Sequence, residues 1–183
     1  LDQLSKVWER HLESLLSPYL ATSPRQFAFK KGSGVGDALL HVQSEILSLA
    51  QSGGPVRLSL VSLDLRKAFD RLPTAKILST LKDRGVPPAL IKTLRSWLTG
   101  RRFSVRVGDE MSRSRPAESG IPQGSRLGPL LFSAVFDAVL ETPLPDGVRI
   151  QAYADDVLLL GPRGTHEEVQ MFQEALSSVA AAI

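Results

Sequence analysis

The stretch "QAYADDVLLLG", residues 151–161, sets two adjacent carboxylates, Asp155 and Asp156, between a strand-like run and the apolar run Val157 to Leu160. Like charges side by side repel, and each resists leaving water, so something must compensate them. If "VRIQAYA" (148–154) and "VLLLG" (157–161) are the arms of a hairpin, Asp155 and Asp156 occupy its tight turn, where short polar residues belong. A turn alone would explain the pair. A second strand gives it more meaning: "VRLSLVSLDL" (56–65) alternates, then crowds its apolar residues as a strand becoming buried does, and the strand ends on Asp64. Two strand-end carboxylates brought together in one sheet make an oxygen-donor site for a divalent cation such as Mg²⁺. A pair of such ions about 3.5 to 4 Å apart can activate an attacking hydroxyl and stabilise the leaving oxygen of a phosphoryl displacement, which here would be nucleotidyl transfer.

The 183 residues, 43% apolar and 22% charged, predict one compact globular domain with a substantial core. With no Cys, disulfides and thiolate metal sites are excluded, and His11, His41 and His166 are too widely spaced to suggest a zinc cluster. The most apolar segment (127–140) is broken by Pro129 and Asp137 and is too short for a bilayer span, so no membrane anchor is expected. A net charge of +3 is a weak signal of any partner. The chain opens on Leu1 without a basic segment before an apolar one, which reads as an excised or truncated piece without a signal peptide.

Outward from the hairpin the chain alternates helices and strands. Leu1, Leu4, Trp8, Leu12, Leu15 and Leu16 fall at helical spacing before Pro18, predicting an amphipathic helix with that face inward. Asp37 is the expected N-cap of a helix to about Gln51, with Gly53 as its stop; the Gly32, Gly34, Gly36 cluster matches no phosphate-loop pattern and reads as a turn. Helices are expected over Pro73–Arg84 and Pro88–Thr99, each stopped by a Gly. "RFSVRV" (102–107) alternates as a strand, with a turn at Gly108 and Asp109 and a partner strand over Arg113–Glu118. A Gly- and Pro-rich loop leads to a helix over Leu130–Glu141, and "THEE" (165–168) is a capping box for the last helix. The fold class is therefore α+β, helices packed on an antiparallel sheet.

Three segments in order, "SLVSLDLRKAFDRL", "SGIPQGSRLGPLLF" and "AYADDVLLL", resemble the A, B and C motifs of reverse transcriptases of the non-LTR (LINE-type) retrotransposon family, and "KVWERHLESLL" and "QFAFKKGSGVGDAL" resemble the fingers segment before motif A. The resemblance covers residues 4–161 and implies a right-hand polymerase palm with partial fingers and no thumb. Its expected layout is partial fingers over 1–55 and palm over 56–183, with motifs A (58–72), B (119–132) and C (151–161) in a single compact unit. It implies an RNA-directed DNA polymerase using two Mg²⁺ or Mn²⁺ ions, an RNA template, a DNA primer and deoxynucleoside triphosphates.

By that resemblance Asp64, Asp155 and Asp156 are the catalytic metal ligands, with the carbonyl of Leu65 beside them. Asp155 matches the carboxylate shared by both ions and Asp156 a supporting one. The backbone of Arg66, Lys67 and Ala68 would face the triphosphate, Phe69 would be the ring that collides with a ribose 2′-OH, and Gln123 with Gly124 would lie over the nucleotide. A core ring following a strand is the alternative reading of Phe69, and Asp70 reads as the cap of the helix after motif A. Gly120 and Gly124 would let backbone approach nucleic acid. Lys30, Lys31, Pro122, Ser125, Arg101 and Arg102 are candidate nucleic-acid contacts, though the lysines also read as an exposed loop pair and the arginines as solvated hairpin charge.

The family's upstream basic segment, downstream lysine motif, primer grip and thumb do not occur in these residues, and no Lys follows Lys92. The expectation is a fingers-and-palm core of a larger polyprotein, with a thumb and an endonuclease elsewhere, or a remnant of a degraded element, acting in the nucleus or the cytoplasm. The competing reading is a non-catalytic RNA-binding or interaction module with a palm fold. An RNA-dependent RNA polymerase is disfavoured by Phe69 and by Ala154 before the aspartates.

Overall fold

The computed structural model describes residues 3–50, 57–117 and 119–183. In chain order the elements are α1 (Gln3–Leu16), α2 (Val35–Ala50), β1 (Leu58–Asp64), α3 (Ala68–Arg71), α4 (Thr74–Asp83), α5 (Pro88–Leu98), β2 (Arg102–Phe103), β3 (Arg106–Val107), β4 (Glu110–Met111), β5 (Arg115–Pro116), α6 (Gly128–Leu140), β6 (Arg149–Tyr153), β7 (Asp156–Pro162) and α7 (His166–Ala182). The α+β class is as expected. The described elements sort into two compact units, each assembled from two chain segments. One joins the described residues up to Ala21 with Lys67–Val135; the other joins Thr22–Arg66 with Phe136–Ile183. No described helix is long and apolar enough to cross a membrane.

The second unit holds the expected antiparallel sheet, in the order β1-β7-β6. The central strand, β7, buries Val157, Leu159 and Leu160, and α7 lays Phe172, Ala175 and Val179 toward the core at helical spacing. Gly161 is required in β7 because a Cβ there would stand 2.6 Å from the Phe172 ring. The capping box of α7 forms as expected: Glu168 N–H donates to Thr165 Oγ1 and Thr165 N–H to Glu168 Oε2. The backbone N–H groups of Thr165 and Gly164, both donating to Glu168 Oε2, hold the Glu168 carboxyl below its ordinary range. Strand β1 differs from expectation. None of its residues is fully buried and Leu60 is 52% exposed, whereas β6, the other edge of the sheet, buries Ile150, Gln151 and Ala152. Val56, with Gln51 and Gly53 at the expected end of α2, lies outside the described residues.

Helix α2 starts two residues before the expected N-cap. Gly34 caps it, its carbonyl accepting from Ala38, and the Asp37 carboxylate reaches back to the Gly34 N–H at 2.8 Å. Gln151 fastens α2 to β6, meeting His41 Nδ1 at 2.7 Å and donating to the Ala38 carbonyl at 3.1 Å.

In the first unit, Ile77, Leu78 and Leu81 of α4 and Leu94 and Leu98 of α5 are buried. The inward face of α1 is Glu9, Leu12 and Leu16, while Leu4, Trp8 and Leu15 stay exposed. The helix is thus rotated from the face expected from apolar spacing, because the Glu9 carboxylate is drawn in by donors of motif B.

Candidate active site

The register of the sheet decides where the carboxylates stand. Strand β1 pairs with β7 from Leu58 opposite Pro162 to Asp64 opposite Asp156. Directly opposed residues in an antiparallel ladder point to one face with Cα atoms about 4.5 to 5.5 Å apart, and the neighbouring Cα is about 3.8 Å further along the chain. The Cα of Asp155 therefore lies within roughly 9 Å of that of Asp64.

The hairpin turn is one residue earlier than expected. It consists of Ala154 and Asp155, and Asp156 is already paired in β7, opposite Tyr153. Ala154, not an aspartate, takes the left-handed conformation, with φ +57°. Among the described residues, no hydrogen bond or ion pair engages the side chain of Asp64, Asp155 or Asp156, and no group of three or more His, Cys, Asp or Glu side chains is gathered to hold a metal. What the sheet supplies is an opposed carboxylate pair with a third on the adjoining turn and the Leu65 carbonyl next in the chain. Oxygen-only donors with uncompensated negative charge suit Mg²⁺ or Mn²⁺.

Motif A runs on from Leu65 and the exposed Arg66. In the first unit Lys67 takes φ +57° as N-cap of the one-turn helix α3, whose first residue is Ala68. Phe69 is half-buried and stacks on Phe132, ring centroids 4.4 Å apart. Asp70 lies inside α3 and caps no helix, Pro73 being the N-cap of α4; its carboxylate instead accepts from the Gln123 amide at 3.2 Å.

The motif B loop closes on motif A through backbone. Gly120 N–H donates to the Leu72 carbonyl and Ile121 N–H to that of Phe69. With φ +78°, Gly120 leaves no room for a Cβ, which would sit 2.5 Å from the Asp70 carbonyl oxygen. The close approach expected of Gly120 is thus to protein, and its structural reason is Asp70. Gly124, at φ +77°, has open space around it and needs glycine only for its backbone angle.

Several expected nucleic-acid contacts are engaged elsewhere. Ser125 is buried, its hydroxyl on Glu9 Oε2 at 3.0 Å, and Arg126 N–H donates to the same oxygen. Arg101 donates to the carbonyls of Leu98, Ser119 and Gly120, and burial pushes its pKa down. Arg102 donates to Ser114. Lys30 donates to the Ser23 carbonyl at 2.5 Å; desolvation lowers its pKa and Asp137 opposes that shift. Lys31 is exposed and Pro122 half-buried. Sequence reasoning missed Glu9 and Gln26, both fully buried. The signal for Glu9 was its place at positions i, i+3, i+7 with Leu12 and Leu16.

The antiparallel sheet bearing these aspartates at one end, packed with helices, has the right-hand polymerase fold, which telomerase structures share. Telomerase from Candida albicans, solved with a fragment of telomeric RNA, aligns at a TM-score of 0.67 and 13% identity over 98% of this chain and 32% of its own. Apo telomerase from Candida tropicalis lacking its C-terminal domain aligns at 0.60 and 12% over 96% and 36%. The chain belongs to the reverse transcriptase (RNA-dependent DNA polymerase) family, which it matches over residues 1–183, and its relatives are non-LTR retrotransposon proteins. The probable RNA-directed DNA polymerase from transposon BS of Drosophila melanogaster is 33% identical over 99% of this chain, and that from transposon X-element 32% over 86%. The chain spans about a fifth of the length of these relatives, 21% and 18%.

Proposed function

We propose that this chain is the fingers-and-palm part of an RNA-directed DNA polymerase that extends a DNA primer on an RNA template with deoxynucleoside triphosphates. The observation that carries it is the β1–β7 register, which sets Asp64 opposite Asp156 beside Asp155. Asp64, Asp155, Asp156 and the Leu65 carbonyl would hold two Mg²⁺ or Mn²⁺ ions. When bound, such ions activate the primer hydroxyl and neutralise charge on the transferred phosphoryl group. Phe69, braced by Phe132, would discriminate against a 2′-OH, and Gln123, braced by Asp70, would face the nucleotide. A thumb and an endonuclease would come from the rest of a larger protein, and we take the nucleus as its place of action.

Primer extension by the full-length protein tests this. Asp64→Asn and Asp155→Asn should each lower the rate at least about 100-fold without loss of template binding. Equal RNA binding by wild type and Asp155→Ala, with no incorporation by either under any Mg²⁺ or Mn²⁺ concentration, would instead leave a non-catalytic RNA-binding module. Phe69→Ala should gain ribonucleotide incorporation; no gain removes the gate assignment.

A further inference from the structure

Gln26, the first residue of the segment "QFAFKKGSGVGDAL", is 1% exposed and directs two of its three side-chain hydrogen bonds to the turn residue Ala154. Its Oε1 accepts from the N–H of Ala154 at 2.8 Å and of Ala28 at 3.1 Å, and its Nε2 donates to the Ala154 carbonyl at 3.0 Å. Both backbone groups of one turn residue are thereby held by one side chain.

The backbone around Gln26 fixes where that side chain begins. Phe27 N–H donates to the Ala152 carbonyl at 2.9 Å, and Ala152 N–H to the Arg25 carbonyl at 2.8 Å. This is a one-residue parallel bridge that seats Gln26 against β6, two positions before the turn. Ala154 has φ +57°, an angle that non-glycine residues hold only when their surroundings over-determine it. The Ala154 carbonyl is also half of the peptide plane from which Asp155 hangs. Tethering it removes rotation that would swing the Asp155 carboxylate.

We infer that Gln26 is a positioning residue of the polymerase site: by clamping both backbone groups of Ala154 it sets the orientation of Asp155 for metal binding. The inference rests on the proposed function. It expects Gln26 to govern rate and metal requirement, and not nucleotide or template affinity, because the side chain reaches the turn's backbone and is itself enclosed in protein.

The test uses the full-length protein with Gln26→Met, which keeps the length and loses all three hydrogen bonds, and Gln26→Glu, which keeps the acceptor. Gln26→Met should lower kcat by about 10- to 100-fold and raise the Mg²⁺ concentration for half-maximal rate, with KM for nucleotide and template binding within about 2-fold of wild type. A kcat that is unchanged, or that falls only with the folded fraction seen in a thermal melt, overturns the inference. Should Gln26→Met fail to fold, Gln26→Glu decides. Its kcat relative to wild type should rise as pH falls from about 8 to about 6, as a protonated carboxyl regains a donor for the Ala154 carbonyl. A flat ratio overturns it. Asp155→Asn separates the two levels: full activity there overturns the polymerase reading and this inference together, whereas an inactive Asp155→Asn beside wild-type Gln26→Met overturns this inference alone.

Discussion

Two hairpins in this chain, each closed by a two-residue turn, have opposite fates. In β6–β7 the ladder is unbroken from Arg149 opposite Leu160 to Tyr153 opposite Asp156, and β1 extends it on the other side. In the arginine-rich hairpin only β2–β5 and β3–β4 pair, two residues at a time, and every residue from Arg102 to Pro116 is exposed. Ser112 bridges the gap, its hydroxyl accepting from Val105 N–H and its own N–H donating to the Val105 carbonyl. The turns differ likewise. Positive φ falls on Gly108 in the exposed hairpin, where it costs little, and on Ala154 in the buried one, where Gln26 holds it. Alternation assigns side chains to faces; only a covered face makes a continuous ladder.

The largest test of that contrast is a charge placed in each hairpin. Val157→Asp puts an unpaired carboxylate at a fully buried position and should cost about 4 kcal/mol or more, read as a collapse of the urea midpoint. Val107→Asp, at 74% exposure, should move it by less than about 0.5 kcal/mol. A comparable loss at Val107 would break the comparison. Next, Gly120→Ala combines a 2.5 Å backbone clash with φ +78° and should cost about 3 kcal/mol in thermal or urea unfolding. Glu9→Ala strands the Ser125 hydroxyl and the Arg126 N–H and should cost about 1 to 3 kcal/mol by the same measurement. Arg102→Ala should leave stability within about 0.5 kcal/mol; if Arg102 touches a phosphate, the salt slope of RNA binding falls by about 1, and an unchanged slope removes it from the interface.

The smallest effect concerns pH. The Glu168 carboxyl, held by the Thr165 and Gly164 N–H groups, titrates below the ordinary carboxylate range in the folded protein, so its contribution is fully present above that range and is lost as pH falls through the lower, folded pKa. Glu168→Gln should flatten that part of the stability-against-pH curve and change little near neutrality. An identical acid limb in both proteins would refute it.

What the sequence revealed was what repeats or ends sharply. The Pro starts and Gly stops of α4 and α5, the capping box at Thr165 and the aspartate closing β1 are local signals, and the structure has them where the residues indicated, while the turn expected at Asp155 and Asp156 falls one residue earlier. What stayed hidden depends on partners far along the chain. Glu9 breaks an apolar pattern because its donors lie 116 and 117 residues away, and Gln26 looks like any loop glutamine until Ala154, 128 residues on, is beside it. Arg101 and Lys30 read as free cations because backbone carbonyls, which accept them here, have no signature in sequence.

The pairing of β1 with β7 also has a cost in time. Roughly a hundred residues separate the partners, so at about 5 to 20 residues per second the ribosome needs on the order of ten seconds between making the first strand and making its mate. Through that interval "LSLVSL" (58–63) waits as an uncharged strand rich in aliphatic side chains, the kind of segment that joins to a neighbouring chain. Arg57 and Asp64, which flank it, are the charges left to keep nascent copies apart.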